Sequence, residues 1–158
     1  MPVKPKKSKR FRYNLETVLK VRAIREKQEQ ERYNEALRKV EVEKQKEQAL
    51  KDEEVRNYDK LREIMSGHMQ KINEIMSRKF HLERLKEKID EQIKTRESAE
   101  EKAEEQKLKL VEAMRAKKIM VKDREKKRMA WKKLMDKEDS KFLDDIAGIG
   151  YDRKRRNP

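Results

Sequence analysis

The chain has 158 residues, 49% of them charged and 34% apolar, and a formal net charge of +14. That is too little apolar material for a compact core, because ordering each residue costs about 1–2 kcal/mol of conformational entropy. With no Cys, disulfides and thiolate metal sites are excluded, and no run approaches the roughly 20 apolar residues of a membrane span.

Two architectures are compatible with such a composition: an elongated helical protein with a narrow apolar seam, or a disordered polyampholyte. The helix formers Lys, Glu, Arg, Gln, Leu, Met and Ala dominate, and Gly and Pro are nearly absent between Asn14 and Ala147. Helix is therefore the reading adopted.

In chain order, residues 1–12 form a basic leader (Lys4, Lys6, Lys7, Lys9, Arg10), expected to be disordered. No apolar stretch follows it, so it does not read as a secretory signal. The first helix is announced by "RYNLETV". Asn14 is the predicted N-cap, Glu16 suits the first turn, and Tyr13 is predicted to staple onto Val18. From Leu15, alternate steps of four and three visit Leu19, Tyr33, Ala36, Val40, Leu50, Leu61 and Ile64. The same walk meets polar Arg22, Glu26, Glu29, Glu43, Glu47, Glu54, Asn57 and His68. About half of this heptad seam is polar, which predicts modest stability and fraying.

The stretch "IMSGHMQKINEIMSRKF" holds Gly67, the one glycine of the helical region. Gly costs about 1 kcal/mol relative to Ala in a helix, so a bend is expected near residues 65–73. A second stripe follows through Ile72, Ile75, Leu82, Leu85, Ile89, Ile93, Ala103, Leu110, Met114, Val121, Trp131, Met135 and Phe142. It is interrupted by Arg96, Glu100 and Lys107. A bend would let the two stripes bury each other. An antiparallel hairpin is accordingly preferred to a continuous helix in a parallel dimer. The second helix is expected to stop near Ala147, with Gly148 at a left-handed C′ position and Gly150 preventing resumption. Residues 148–158 then read as a flexible basic tail. The predicted fold class is all-α: a long two-helix antiparallel coiled-coil hairpin over residues 13–147, with disordered basic termini.

Catalytic chemistry is not expected. His68 and His81 stand apart, and no phosphate-binding glycine loop, nucleophile elbow or zinc-protease helix motif is present. The carboxylates fall on open helix faces, where little would exclude water. The chain is read as a non-enzyme without cofactor or metal. Tyr33, Phe80 and Trp131 read as packing residues, and Met65, Met69 and Met76 as gap fillers or an adaptable partner surface. Acidic residues interleave with basic ones along most of the chain. Positive charge is in excess in the first ten residues, in "AKKIMVKDREKKRMAWKK" (116–133) and in "DRKRR". These clusters could hold phosphates by counterion release, yet no nucleic-acid motif or stacking series accompanies them. An acidic protein surface would attract them equally well.

Two terminal segments carry a resemblance. "FRYNLETVLKVRAIREKQEQE" from Phe11 and "FLDDIA" from Phe142 together resemble the FliJ family of flagellar export proteins and, more distantly, the YscO-type stalk proteins of virulence secretion systems. Phe11, Leu15, Val18, Leu19 and Arg22 fit the family's opening, and Leu143, Asp144, Asp145, Ile146 and Ala147 its closing run. Phe80 and Leu85 stand five residues apart where the family pattern has four. The resemblance implies an antiparallel coiled-coil hairpin acting as a non-enzymatic stalk, cytoplasmic and peripherally associated with the inner-membrane export apparatus, with no membrane insertion. Its implied partners are the export ATPase hexamer and its regulator, the membrane export gate and export chaperones. ATPase contact would fall to Phe11, Leu15, Val18, Leu19, Phe142, Leu143 and Ile146, and gate contact to Phe80, Leu85 and Ile89. The alternative is a basic coiled-coil nucleic-acid or ribosome-associated protein.

Overall fold

A computed structural model describes residues 10–67 and 72–156, and they are helical almost throughout. Helix α1 runs Glu16–Ser66 and helix α2 Ile72–Arg156, with no strand among the described residues. At the end of α1 the Ser66 hydroxyl donates to the Glu63 carbonyl (2.9 Å) and the Gly67 N–H to Ile64 (3.4 Å). These bonds occupy carbonyls that a helix end would otherwise leave bare. His68 and Met69 lie outside the described residues.

The chain divides into two compact units, residues 26–112 and residues 1–25 with 113–158. Within the first of these, α1 and α2 pack antiparallel. Glu29 faces Gln106, Glu43 faces Gln92, and Glu53 faces His81. The pairing runs in opposite directions along the two helices, and α1 ends at Ser66, with Gly67 outside the helix. The fold is a helical hairpin, and a continuous helix in a parallel dimer is excluded.

Burial follows the heptad closely. On α1, every position of the predicted walk from Leu19 to Ile64 is buried or half-buried, polar positions included, whereas Leu15 is exposed. On α2 the alternation of three and four runs through Ile75, Arg78, Leu82, Leu85, Ile89, Gln92, Arg96, Ala99, Ala103, Gln106, Leu110 and Ala113. Three predicted positions are thereby corrected: Gln106 and Ala113 occupy the seam while Lys107 and Met114 are exposed, and Ile72 is exposed as well. The 3.5-residue repeat set by Leu82, Leu85 and Ile89 outweighs the hydrophobicity of single residues further on.

Several polar seam positions are matched across the hairpin. Gln92 Nε2 donates to Glu43 Oε2 (2.6 Å) and to the Glu43 carbonyl (3.2 Å). Arg96 Nε donates to Glu47 Oε2 (2.6 Å) and its Nη1 to Glu100 Oε2 (2.7 Å), while Lys44 pairs with Glu100 (3.3 Å). Gln106 reaches Glu29. Buried Glu29 and Glu47 therefore have partners, which removes the desolvation penalty an orphaned carboxylate would carry. Such polar layers favour one register over its neighbours, because a slip would separate every pair.

Both helix ends depart from the sequence reading. Asn14 is not the N-cap: it lies in a turn closed by the Glu16 N–H on the Tyr13 carbonyl (3.2 Å), and Leu15 accepts from the Leu19 N–H (2.9 Å). Tyr13 is drawn to α2, so the chain enters the helix one residue later than the cap preference suggests. At the other end, α2 does not stop near Ala147 but continues through Gly148 and Gly150 to Arg156. Neither glycine has a positive φ. Glycine permits a left-handed stop without requiring one, and its cost of about 1 kcal/mol is small beside the propagation of an established helix. A methyl group at either position would meet no atom within 4 Å. Gly148→Ala with Gly150→Ala should accordingly stabilise this last stretch by about 1–2 kcal/mol. Hydrogen exchange over residues 143–156 should slow, and unchanged exchange would contradict a helical end.

Candidate functional site

In the unit formed by residues 1–25 and 113–158, the start of the chain is clasped to α2 by an aromatic and ionic cluster. The Tyr13 hydroxyl donates to Asp123 Oδ2 (2.6 Å) and lies 3.4 Å from the Met120 carbonyl. Lys127 Nζ sits 5.3 Å from the centre of the Tyr13 ring and 3.0 Å from Asp123. This hydrogen bond, then burial and the charge of Asp123, push the phenol up to about 12. Tyr13 and Lys127 in turn hold the Asp123 carboxyl below its usual range. Glu16 pairs with Arg124 (3.4 Å), and the Phe11 ring tilts against Trp131 with centroids 5.9 Å apart. The clasp fixes where the exposed residues around it point.

Of the residues expected to meet an ATPase, Phe11 and Phe142 are half-buried and Leu19 is buried. Leu15, Val18, Leu143 and Ile146 are exposed, Leu143 at 65%. The two sets are not side by side. Tyr13 and Glu16 face residues 123 and 124, and Phe11 faces Trp131. Phe142 therefore lies about 16 Å further along α2 than Phe11's partner, at 1.5 Å per residue. "FLDDIA" thus does not sit beside the start of the first helix. The antiparallel register of this unit sets the offset.

In the unit of residues 26–112, the three residues expected at an export gate separate. Phe80 is 59% exposed, whereas Leu85 and Ile89 are buried in the seam facing α1. Phe80 belongs instead to an outward stripe with Ile72 and Met76, one helical turn apart, all exposed. The sequence reading put Ile72 in the seam and thereby missed this stripe. The i, i+4, i+8 spacing was visible, but it competed with an overlapping core pattern.

The residues of the clasp, Phe11 and Trp131 included, were not foreseen as a cluster. Tyr13 and Asp123 are far apart in sequence, and Asp123 stands within a lysine-rich run where nothing singles it out. Among the described residues, no three His, Cys, Asp or Glu converge as a metal site would require.

No curated protein and no solved structure matches this chain. A family model described as flagellar FliJ protein matches residues 11–156, nearly the full length. The match agrees with the two-helix fold, and the chain belongs to the flagellar FliJ protein family.

Proposed function

We propose that this protein is a non-enzymatic stalk and adaptor of the flagellar export apparatus, cytoplasmic and peripherally held at the inner membrane. In this reading it binds and stimulates the export ATPase ring with the ring's regulator and links the ring to the export gate and to export chaperones. The observation that carries the reading is the family match over residues 11–156. The physical supports are a hairpin whose seam holds several polar pairs across the two helices, and apolar side chains left exposed for contact. A connecting rod needs little else: stiffness along its length, and specificity where it meets a partner.

The ATPase contact is assigned to exposed Leu15, Val18, Leu143 and Ile146, with Phe11, Leu19 and Phe142 supporting them from within. At the gate, Phe80 acts with Ile72 and Met76, while Leu85 and Ile89 hold the hairpin that presents them. The test is reconstitution with the cognate export ATPase, reading hexamer formation by light scattering and ATP hydrolysis. The wild-type chain should promote both. Leu143→Asp with Ile146→Asp should weaken stimulation on the order of tenfold, as loss of central apolar anchors does, with helix content unchanged. Absence of both binding and stimulation by the wild-type chain overturns the proposal.

A further inference from the structure

Along α2, Ile119, Lys122, Lys126, Met129, Lys133 and Lys137 recur at steps of three and four. They form one face, directed away from the side that carries Ala113, Met120 and Trp131 toward α1. At 1.5 Å per residue this face is about 27 Å long. Its two apolar members are left in water, with Ile119 67% and Met129 62% exposed.

The charges of the face are uncommitted. The neighbouring cations of this segment are used internally, Arg124 on Glu16 and Lys127 on Asp123. Among the described residues Lys122, Lys133 and Lys137 have no ion-pair partner, and Lys126 adds only its field to an Asp123 already bonded to Tyr13 and Lys127. Two carboxylates border the groove that Ile119, Lys122, Lys126, Met129 and Lys133 line: Glu125, and Asp123, which is already bonded to Tyr13 and Lys127. Four lysines with two exposed apolar side chains among them, on one face of one helix, fit an anionic surface with an apolar interior. Single-stranded nucleic acid fits less well, because the face offers no aromatic ring on which bases could stack. The nearest large aromatic, Trp131, is turned to Phe11.

We infer that this face of α2 docks the protein on an anionic phospholipid surface, the lysines meeting headgroup phosphates and Ile119 and Met129 entering the headgroup boundary. The contact is peripheral, in keeping with the finding that no described helix is long and apolar enough to cross a membrane. Each lysine at such a surface changes binding about fivefold, so the attachment is graded and salt-sensitive.

The experiment is co-sedimentation of the full chain with phosphatidylcholine vesicles and with vesicles one quarter phosphatidylglycerol, at low and high salt. It contains no export component, so its outcome is independent of the proposed function. Binding is expected only to the anionic vesicles and only at low to moderate salt. Lys122→Glu with Lys126→Glu and Lys133→Glu should weaken it on the order of 100-fold. A control of equal charge, Lys27→Glu with Lys60→Glu and Lys79→Glu, should bind within a few-fold of wild type. Circular dichroism verifies that both variants remain helical. Ile119→Asn with Met129→Asn should leave weaker binding that salt removes completely. Equal loss in the control, equal binding to neutral vesicles, or preference for duplex DNA or RNA at matched phosphate concentration would overturn the inference.

Discussion

Leu85→Ala should lower stability by about 2–4 kcal/mol, whereas Phe80→Ala, five residues earlier, should change it by less than about 0.5 kcal/mol. Leu85 is 2% exposed, the lowest among the buried apolar residues, while Phe80 is 59% exposed. A large-to-small change at Leu85 loses the transfer free energy of the side chain and leaves a cavity. In a two-helix seam only one layer of neighbours could relax into that cavity. For a chain of this size the loss corresponds to a fall in Tm of roughly 5–15 °C. Thermal melts followed by circular dichroism would measure it. Comparable effects of the two substitutions would mean that Phe80 also packs in the core. The same pair of variants separates scaffold from contact surface. Phe80→Ala should weaken the proposed gate binding while leaving the melt unchanged, and Leu85→Ala should affect that binding only as far as it unfolds the hairpin.

The second expected result is a stability profile that falls at both ends of the pH scale. Bonds from Lys46 and Gln92 hold the Glu43 carboxyl below its ordinary range, and bonds from Lys51 and Arg96 do the same for Glu47. Asp123 is lowered by Tyr13 and Lys127. A carboxylate lowered by folding contributes stability that is complete above its unfolded value, near 4. That contribution is lost as pH falls through the lower folded value. Tm should thus be level at neutral pH and decline by several degrees once pH drops below about 4. Acid also raises a net charge that is already +14, which adds general repulsion. Glu47→Gln isolates the specific part: the variant should start from a lower Tm and lose less of it on acidification. Tyr13 behaves in the opposite sense. Its phenol is pushed up to about 12, so its contribution is complete below the ordinary value near 10 and lost as pH rises from there to about 12. Tyr13→Phe should remove that alkaline loss, and an unchanged alkaline limb would show that the clasp contributes nothing.

Much of this protein was legible because a coiled coil writes its contacts at a fixed period. Every position of the walk from Leu19 to Ile64 lies inward on α1, including Glu29, Glu43 and Glu47, which no hydrophobicity scale would select, although half-buried Glu53 and Tyr58 fall outside it. Composition ruled out a compact core, and the segments "FRYNLETVLKVR" and "FLDDIA" pointed to the family that the match over residues 11–156 establishes. The errors have a common physical origin. At Gly148 and Gly150 a residue that permits a stop was read as one that imposes it. At Met114 a hydrophobic side chain was put in the seam although the repeat had already assigned that side of the helix to Ala113, and at Ile72 although the alternation through Ile75, Arg78 and Leu82 takes a step of four before Ile75.

The periodic part follows from the chain's own pattern: two helices, most of their inward positions, the break around Gly67 and the excess of lysine along residues 116–133. These follow from local propensity and a repeat of 3.5 residues, neither of which needs a partner to be defined. Only the tertiary structure decided which polar seam residues meet, that Tyr13 closes on Asp123, and that Phe142 stands well beyond Trp131 rather than beside Phe11. Pairing across the hairpin depends on register. A shift of one heptad would leave each helix's pattern intact while replacing every partner, so no single-helix pattern could specify it.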